Sequence, residues 1–329
     1  MGWCLAVKII LSLNNGPEEV EMRKVYVETL IRLAENNRQV MTLEADLMSC
    51  VGTKTFGERF PERYINCGIQ EANMFGVAAG LSATGKIPYA HTFAPFCTRR
   101  ACDQIFMSCA YAKLNVKIIG SDPGVTAALN GGTHMPFEDV GIMRTIPGMT
   151  VIEPTDTVML RDVITKISEE YGTHYIRMAR RTVTKVYEAG SSFEIGKAVQ
   201  IRDGSDLTII AAGFCVAEAI NAAEILAKQG IMARVIDMFT IKPIDKEAVI
   251  KAAAETGAII TAENHNILNG LGSAIAEILA ENRPTPMERI GIEDIFGEVG
   301  PVDYLAERFG LTAGHIVKKA QRVLERKDI

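Results

Sequence analysis

One carboxylate sits inside a run that otherwise carries no charge, Asn66-Cys67-Gly68-Ile69-Gln70-Glu71-Ala72-Asn73-Met74-Phe75-Gly76-Val77-Ala78-Ala79-Gly80-Leu81. Acidic side chains are rarely buried unless something pairs with them, so Glu71 needs a proton or a donor to justify its place. Two aromatics follow at loop-like spacing, Phe93 and Phe96, and then a histidine beside glycines in Gly131-Gly132-Thr133-His134-Met135-Pro136. An aromatic face suits a flat heterocycle because it adds contact area without competing hydrogen bonds. Glycines let the backbone approach a ligand, and imidazole exchanges protons near neutral pH. A carboxylate, an aromatic pair and a loop histidine together look like equipment for a flat heterocycle that exchanges a proton. Taken singly each has a plainer reading: Glu71 as a helix N-terminal acid, the two phenylalanines as core.

The elements that must hold these residues can be read from periodicity. Apolar positions at helical spacing mark 24–36, 71–84, 99–112, 137–145 and 156–168, with Asp139 and Arg144 expected to face outward. Short apolar strands separate them at 40–43, 87–91, 116–120, 149–152 and 174–178. After a polar link, Glu188-Ala189-Gly190-Ser191-Ser192, a second alternation begins. It runs as strands at 207–212, 233–238, 258–262 and 288–292, with helices at 217–229, 246–255 and 272–281 and two more near the C-terminus. Strands alternating with helices imply parallel sheets covered on both faces. The expected fold class is therefore α/β, two three-layer domains divided at residue 190.

Bulk properties limit the function classes. The 329 residues are enough for two ordinary cores, and 48% hydrophobic with 23% charged residues is a compact composition. A net charge of −5 without a long Lys/Arg block argues against nucleic acid or an anionic membrane as partner. Seven cysteines, an odd number without metal-type pairs, suit a reducing cytoplasm, and no spacing argues for a metal held by this chain. The apolar stretch Trp3–Leu13 is too short to span a bilayer, so residues 1–21 read as an extension ahead of the fold.

The ordered segments GIQEANMFGVAAGL, HTFAPF and GGTHMPFEDVGIMRTIPGMTVIEPTD resemble the pyrimidine-binding domain of transketolases. VIDMFTIKPID and TAENHNILNGLG resemble the transketolase C-terminal domain, so the resemblance covers nearly the whole chain. It implies a pyrimidine-binding domain at 22–190 with a parallel sheet and a C-terminal domain at 191–329. It also implies thiamine diphosphate as cofactor, with Glu71 bonding N1′ of the aminopyrimidine and favouring the imino form that deprotonates the thiazolium. Phe93 and Phe96 match the rings that pack on the pyrimidine, and Asp46 an acid lining that site. His134 matches the histidine at the donor sugar's first hydroxyl. Arg23 and Arg180, with Ser49 or Cys50 and Ser121 nearby, match the sugar-phosphate pocket, where the bidentate fork of Arg is apt. Three positions depart from the pattern: Asn130 replaces an Asp, Ser121 a His and Arg99 an aromatic. His91 is close enough in sequence to line the site, whereas His265 reads as structural.

A Gly-Asp-Gly…Asn motif, which in the family holds Mg²⁺ and the cofactor diphosphate, is not found in the sequence. The chain therefore resembles the second, C-terminal subunit of a split transketolase. It is expected to join an N-terminal diphosphate-binding subunit in a cytoplasmic α₂β₂ assembly and to act on sugar phosphates. Asn130 and Ser121 leave room for a specialised donor, such as apulose 4-phosphate or a sulfonated sugar. Three alternatives stand beside it: the E1 β-subunit of a 2-oxo acid dehydrogenase, a 1-deoxyxylulose-5-phosphate synthase-like enzyme, and an inactive scaffold subunit.

Overall fold

The structure is a computed structural model that describes residues 20–327. The expected extension at 1–21 lies outside the described residues except for Val20 and Glu21. The first half runs α1 (Met22–Asn36), β1 (Val40–Glu44), α2 (Met48–Val51), α3 (Lys54–Arg59), β2 (Tyr64–Asn66) and α4 (Glu71–Ala83). It continues through β3 (Ile87–Phe93), α5 (Ala94–Cys97), α6 (Cys102–Gln104), β4 (Lys117–Ser121), α7 (Asp139–Thr145), β5 (Thr150–Ile152), α8 (Thr157–Glu169) and β6 (His174–Met178). The second half holds β7 (Val199–Arg202), β8 (Leu207–Ala211), α9 (Phe214–Ala227), β9 (Ala233–Asp237), β10 (Thr240–Lys242) and α10 (Lys246–Thr256). It ends with β11 (Ile259–Asn266), α11 (Leu271–Asn282), β12 (Met287–Ile292), α12 (Val302–Arg308) and α13 (Ala313–Lys327).

These elements build two α/β domains around two sheets, ordered β10-β5-β6-β4-β3-β1-β2 and β12-β11-β8-β9-β7. Every residue of β1, β4, β6, β8 and β9 is buried, so each strand keeps an apolar centre even where an end or one position is charged. Two helix starts carry side-chain caps. Asp156 accepts from Met159 N at the head of α8, and Asp245 from Ala248 N at the head of α10.

The sheets are parallel except at two edges, where β10 pairs antiparallel with β5 and β7 with β9. The sequence pattern missed β10, since three residues between a strand and a proline carry no period of their own. Its placement binds the halves together: a strand from the second half completes the first half's sheet. Lys242, at its end, donates to the carbonyls of Arg144 and Ile146 at the C-terminus of α7. The helix expected at 99–112 is also different. Residues 98–100 form a turn, and a π-helical stretch, Ile105–Tyr111, follows the short α6.

Asp139 corrects the sequence reading. Expected outward, it is fully buried, because β6 presents Arg177 beneath the start of α7. Arg177 Nε donates to Asp139 Oδ2 at 2.7 Å, Nη1 to Glu153 Oε1 at 2.8 Å, and Nη2 to the Asn264 carbonyl at 2.6 Å. Burial works to raise the Asp139 pKa, but the Arg177 charge and bonds outweigh it and hold the carboxyl below its usual range. Glu153 stays above its usual range, since burial exceeds the share of Arg177 it receives. Removing the guanidinium leaves two buried carboxylates unpaired. Arg177→Leu is expected to cost about 3–5 kcal/mol of stability in urea unfolding; a loss below about 1 kcal/mol would contradict the hub assignment.

Burial also pushes Asp237 up to about 7, against the opposing bonds from Thr155 and Tyr187. The folded chain thus keeps a proton that the unfolded chain loses near pH 4. Stability from this group falls as pH rises from there through about 7, and the full cost stands above that value. In Asp237→Asn the melting temperature should fall less between pH 5 and pH 8 than in the parent chain (about the window set by those two values). Parallel pH profiles would reject the assignment.

Candidate active site

The parallel strands β1, β3, β4 and β6 end at one edge of the larger sheet, the edge where open α/β sheets bind ligands. Sequence-predicted residues cluster there. Asp46 follows β1, Phe93 ends β3, Ser121 ends β4, and Arg180 lies just past β6. Glu71 comes off β2 through a tight turn, in which Asn66 Oδ1 accepts from Asp46 N at 3.1 Å and Gly68 N at 2.9 Å. Gly68 takes φ 72°, a conformation glycine adopts without strain, and Glu71 then opens α4.

Glu71 is 3% exposed, and its Oε1 accepts from Arg100 Nη1 at 2.7 Å. The Arg100 guanidinium lies 3.9 Å from the centroid of the Phe96 ring. Phe96 and His134 meet edge-to-face at 5.1 Å, and Phe93 meets both, at 6.0 Å and 5.7 Å. Beyond Phe93, the Arg180 guanidinium stands 5.7 Å from the ring, with Nε 3.1 Å from Asp122 Oδ2. One unbroken chain of contacts therefore runs from Glu71 through Arg100, Phe96, His134 and Phe93 to Arg180 and Asp122. Burial pushes Asp122 up to about 6, and the charge of Arg180 only partly offsets it.

His134 sits half-buried on a loop that three groups hold. Its Nδ1 is engaged by Thr133 Oγ1 at 2.9 Å, and its other ring nitrogen makes no hydrogen bond among the described residues. Arg99 donates to the Thr133 carbonyl at 2.8 Å and pairs with Glu138 at 3.0 Å. The departure from an aromatic at this position thus becomes a latch on the histidine loop. Asn264, from the second half, accepts from Val125 N at 2.9 Å and donates to the Pro123 carbonyl. Gly132 packs so closely on Gly297 that a Cβ there would stand 2.2 Å from the Gly297 oxygen.

Other expected residues are placed differently. Arg23 shares backbone bonds with the 180–181 segment, yet its guanidinium engages Glu21 and the Cys50 carbonyl, each at 2.8 Å. With Ser49 it lines a separate cleft of about 410 Å³ beside the main cluster. The Ser121 side chain is fully buried, its hydroxyl without a partner among the described residues, and Asn130 is exposed. His91 does not line the site. It lies fully buried beneath it, Nε2 3.1 Å from Glu44 Oε1, a pairing set by the register of β1 and β3. His265 is structural, its Nε2 accepting from Gly141 N and its Nδ1 facing the Asn266 carbonyl.

Sequence reasoning missed Arg100 and Asp122. Arg100 follows Phe96 by four positions, which would have placed it beside the ring in a helix, but a turn holds it here instead. Asp122 left one signal, a charged residue directly after an apolar strand.

Comparison with known proteins agrees with this architecture. The transketolase pyrimidine-binding domain model matches residues 18–185, and the transketolase C-terminal domain model matches 196–316. A Clostridium sp. (strain MSTE9) protein named as a 6-deoxy-6-sulfo-D-fructose transketolase subunit is 52% identical, over 94% of this chain and 97% of its own. An apulose-4-phosphate transketolase subunit of Phocaeicola vulgatus is 37% identical, over 92% and 96%. Among solved structures, a split-gene transketolase described as an inactive β4 tetramer is 41% identical with TM-score 0.87, covering 94% of this chain and all of that one. A Pichia stipitis transketolase at 20% identity shares the fold, with TM-score 0.80 over 98% of this chain and 48% of that one. Paired domain models across most of the length, and relatives matched end to end, make this chain a member of the transketolase family and one part of a split transketolase-type transferase.

Proposed function

We propose that this chain is the ring-activating subunit of a thiamine diphosphate-dependent transketolase. It would move a two-carbon glycolaldehyde unit from a ketose with an anionic terminus to an aldose acceptor. The observation that carries the reading is the contact chain from Glu71 to Arg180, which sets a buried carboxylate, two phenyl rings, an imidazole and a guanidinium along one strand edge. These groups fit the aminopyrimidine end of the cofactor: an acid with little access to water, beside apolar faces that leave a ring's polar edge to it. We divide the chain at residue 190, with 22–190 facing the cofactor.

When bound, thiamine diphosphate supplies the carbon nucleophile that accepts the two-carbon unit. Glu71 would hold the proton at the pyrimidine nitrogen, and an apolar setting strengthens that bond. Phe93 and Phe96 orient the ring by contact, and Asp46 lines its approach. The free nitrogen of His134 would bond the donor's first hydroxyl and carry its proton, with Asn130 at the rim. Arg180 would receive the anionic terminus, while Arg23 and Ser49 stand back in the neighbouring cleft and Ser121 lies buried. Diphosphate and Mg²⁺ contacts we assign to an N-terminal partner subunit, in a cytoplasmic α₂β₂ complex. Among the described residues no group of three or more His, Cys, Asp or Glu is placed to hold a metal, and no helix is long and apolar enough to cross a membrane.

Within this reading a sulfonated donor is favoured over a phosphorylated one. The 52% relative is named for 6-deoxy-6-sulfo-D-fructose, and here Ser121 stands where the family has a cation-capable histidine. A sulfonate carries one negative charge where a phosphate carries close to two. Arg180, partly neutralised by Asp122, suits the monoanion.

The test is to purify the chain with its partner and assay thiamine-dependent transfer from sulfofructose and a panel of ketose phosphates. Turnover of pyruvate without a ketose donor would reject the transketolase reading. Glu71→Gln should leave assembly intact by size-exclusion and lower transfer by at least about 10²-fold; near-parental turnover would falsify its role. Gly132→Ala should shift the histidine loop and reduce transfer by about 10²-fold. Gly80→Ala, where an added Cβ meets nothing within 4 Å, should not. Equal rates in the two glycine variants would sever His134 from the chemistry.

A further inference from the structure

At the edge of the second sheet, a cleft of about 520 Å³ opens between strand β12 and the helices α12 and α13. Its walls carry Arg289, Arg308, His315, Lys318, Lys319 and Arg322, against a single lining acid, Glu293. Neighbouring carboxylates offset only part of this charge, and His315 faces Glu307 at 3.9 Å. Glu288 is shared among Lys319 at 3.2 Å, Arg322 at 3.9 Å and Arg326 at 2.8 Å. Arg308 has a long contact to Glu298 at 3.5 Å, and Arg289 donates to the Ile267 carbonyl. Lys318 is exposed and has no ion pair among the described residues. The floor is apolar, made by Ile290, Ile295 and Phe309.

A solvated cationic face would be convex and would gather counter-ions without a pocket. Here the cations converge on a concavity in a chain whose net charge is −5, so the basic character is local. The volume is that of a small-molecule site, and cations over an apolar floor match a phosphate ester on a compact organic body. The pocket at the head of α9 is unlike it. There the Glu153 carboxylate packs against Gly213, which excludes a second anion.

The cleft is joined to the histidine loop by one chain segment. The segment from Glu293 to Arg308 supplies part of its wall and then carries Gly297 and Val299 onto Gly132 and Gly131 of the histidine loop. Ile295 and Gly297 are two residues apart, one at the cleft and one at the loop.

The geometry points to an effector site for a small phosphorylated metabolite in the cleft between β12, α12 and α13, coupled to the His134 loop through residues 293–300. Occupancy draws Arg308 and the wall toward the anion, and the glycine contact at 132 passes that shift to the loop. No catalytic residue takes part.

Inorganic pyrophosphate is the probe, added to the full chain and to its complex with the partner subunit, with melting temperature and hydrogen exchange as readouts. A saturable rise in melting temperature is expected in both. Lys318→Gln/Arg322→Gln, both exposed, should keep the fold and the basal transfer rate while weakening apparent binding about tenfold. Arg23→Ala should bind as the parent does. Pyrophosphate should slow amide exchange at 131–135 as well as along β12. Equal binding by the double variant, or loss of binding in Arg23→Ala alone, would place the anion elsewhere and overturn the site. Loss of the response in the complex would make the cleft a subunit contact. Protection confined to β12, α12 and α13 would remove the effector role.

Discussion

Arg177 is the group on which the arrangement of the two halves depends. A fully buried guanidinium has no water to fall back on, so each of its donors must find an acceptor. It finds them on three other elements: Asp139 at the head of α7, Glu153 past the end of β5, and Asn264 in β11. Two of these belong to the first half and one to the second. The bidentate grip on Asp139 fixes where α7 begins, and α7 begins where the histidine loop ends. Cationic charge is scarce in this interior. Asp237 and Glu263 lie nearby with only neutral donors, and burial lifts both to about 7.

That scarcity explains a division of labour between the sheets. The carboxyl edge of an open α/β sheet is its natural ligand site, and the second sheet has one too. Its edge is filled by the protein's own carboxylates. Glu263 accepts from Leu271 N and Gly272 N at the head of α11, and Glu153 presses on Gly213 at the head of α9. With the head of α11 hydrogen-bonded to Glu263 and a carboxylate packed against the head of α9, the second sheet has little left for an anion there. Its role toward the first is positional: Asn264 holds one end of the histidine loop and Gly297 backs the other.

What could be read from the sequence followed the range of the interaction. Strands such as Leu207–Ala211 are buried on both faces, and local composition alone marks them. Glu71 stood out because an acid among small uncharged residues conflicts with its surroundings, a conflict visible without coordinates. Asp139 was misread for the opposite reason. Helical periodicity assigns a face by the helix's own neighbours and has no knowledge of Arg177, 38 positions away, beneath it. β10 escaped because its partner strand is remote, and the 293–300 segment because its contacts cross between halves. Arg100 escaped because two adjacent arginines after an aromatic look like surface charge, and only the turn at 98–100 aims one of them at Glu71.

The Arg100–Glu71 pair also bears on how half a site can exist without its ligand. An acid buried to 3% exposure needs a partner at all times, and Arg100 provides one while its own side chain remains 45% exposed. Such a partially exposed ion pair is worth about 1 kcal/mol at most, and the guanidinium's contact with Phe96 adds about 0.5–1 kcal/mol. Displacing both costs far less than the roughly 8 kcal/mol of a micromolar ligand. Arg100 therefore protects the carboxylate without locking it. In the proposed function, a flat ring that offers Glu71 a proton and Phe96 a face would replace both contacts at once and release the partly exposed guanidinium of Arg100. Under the proposed function the carboxylate would be satisfied in either state, which would let it stay buried before a cofactor arrives.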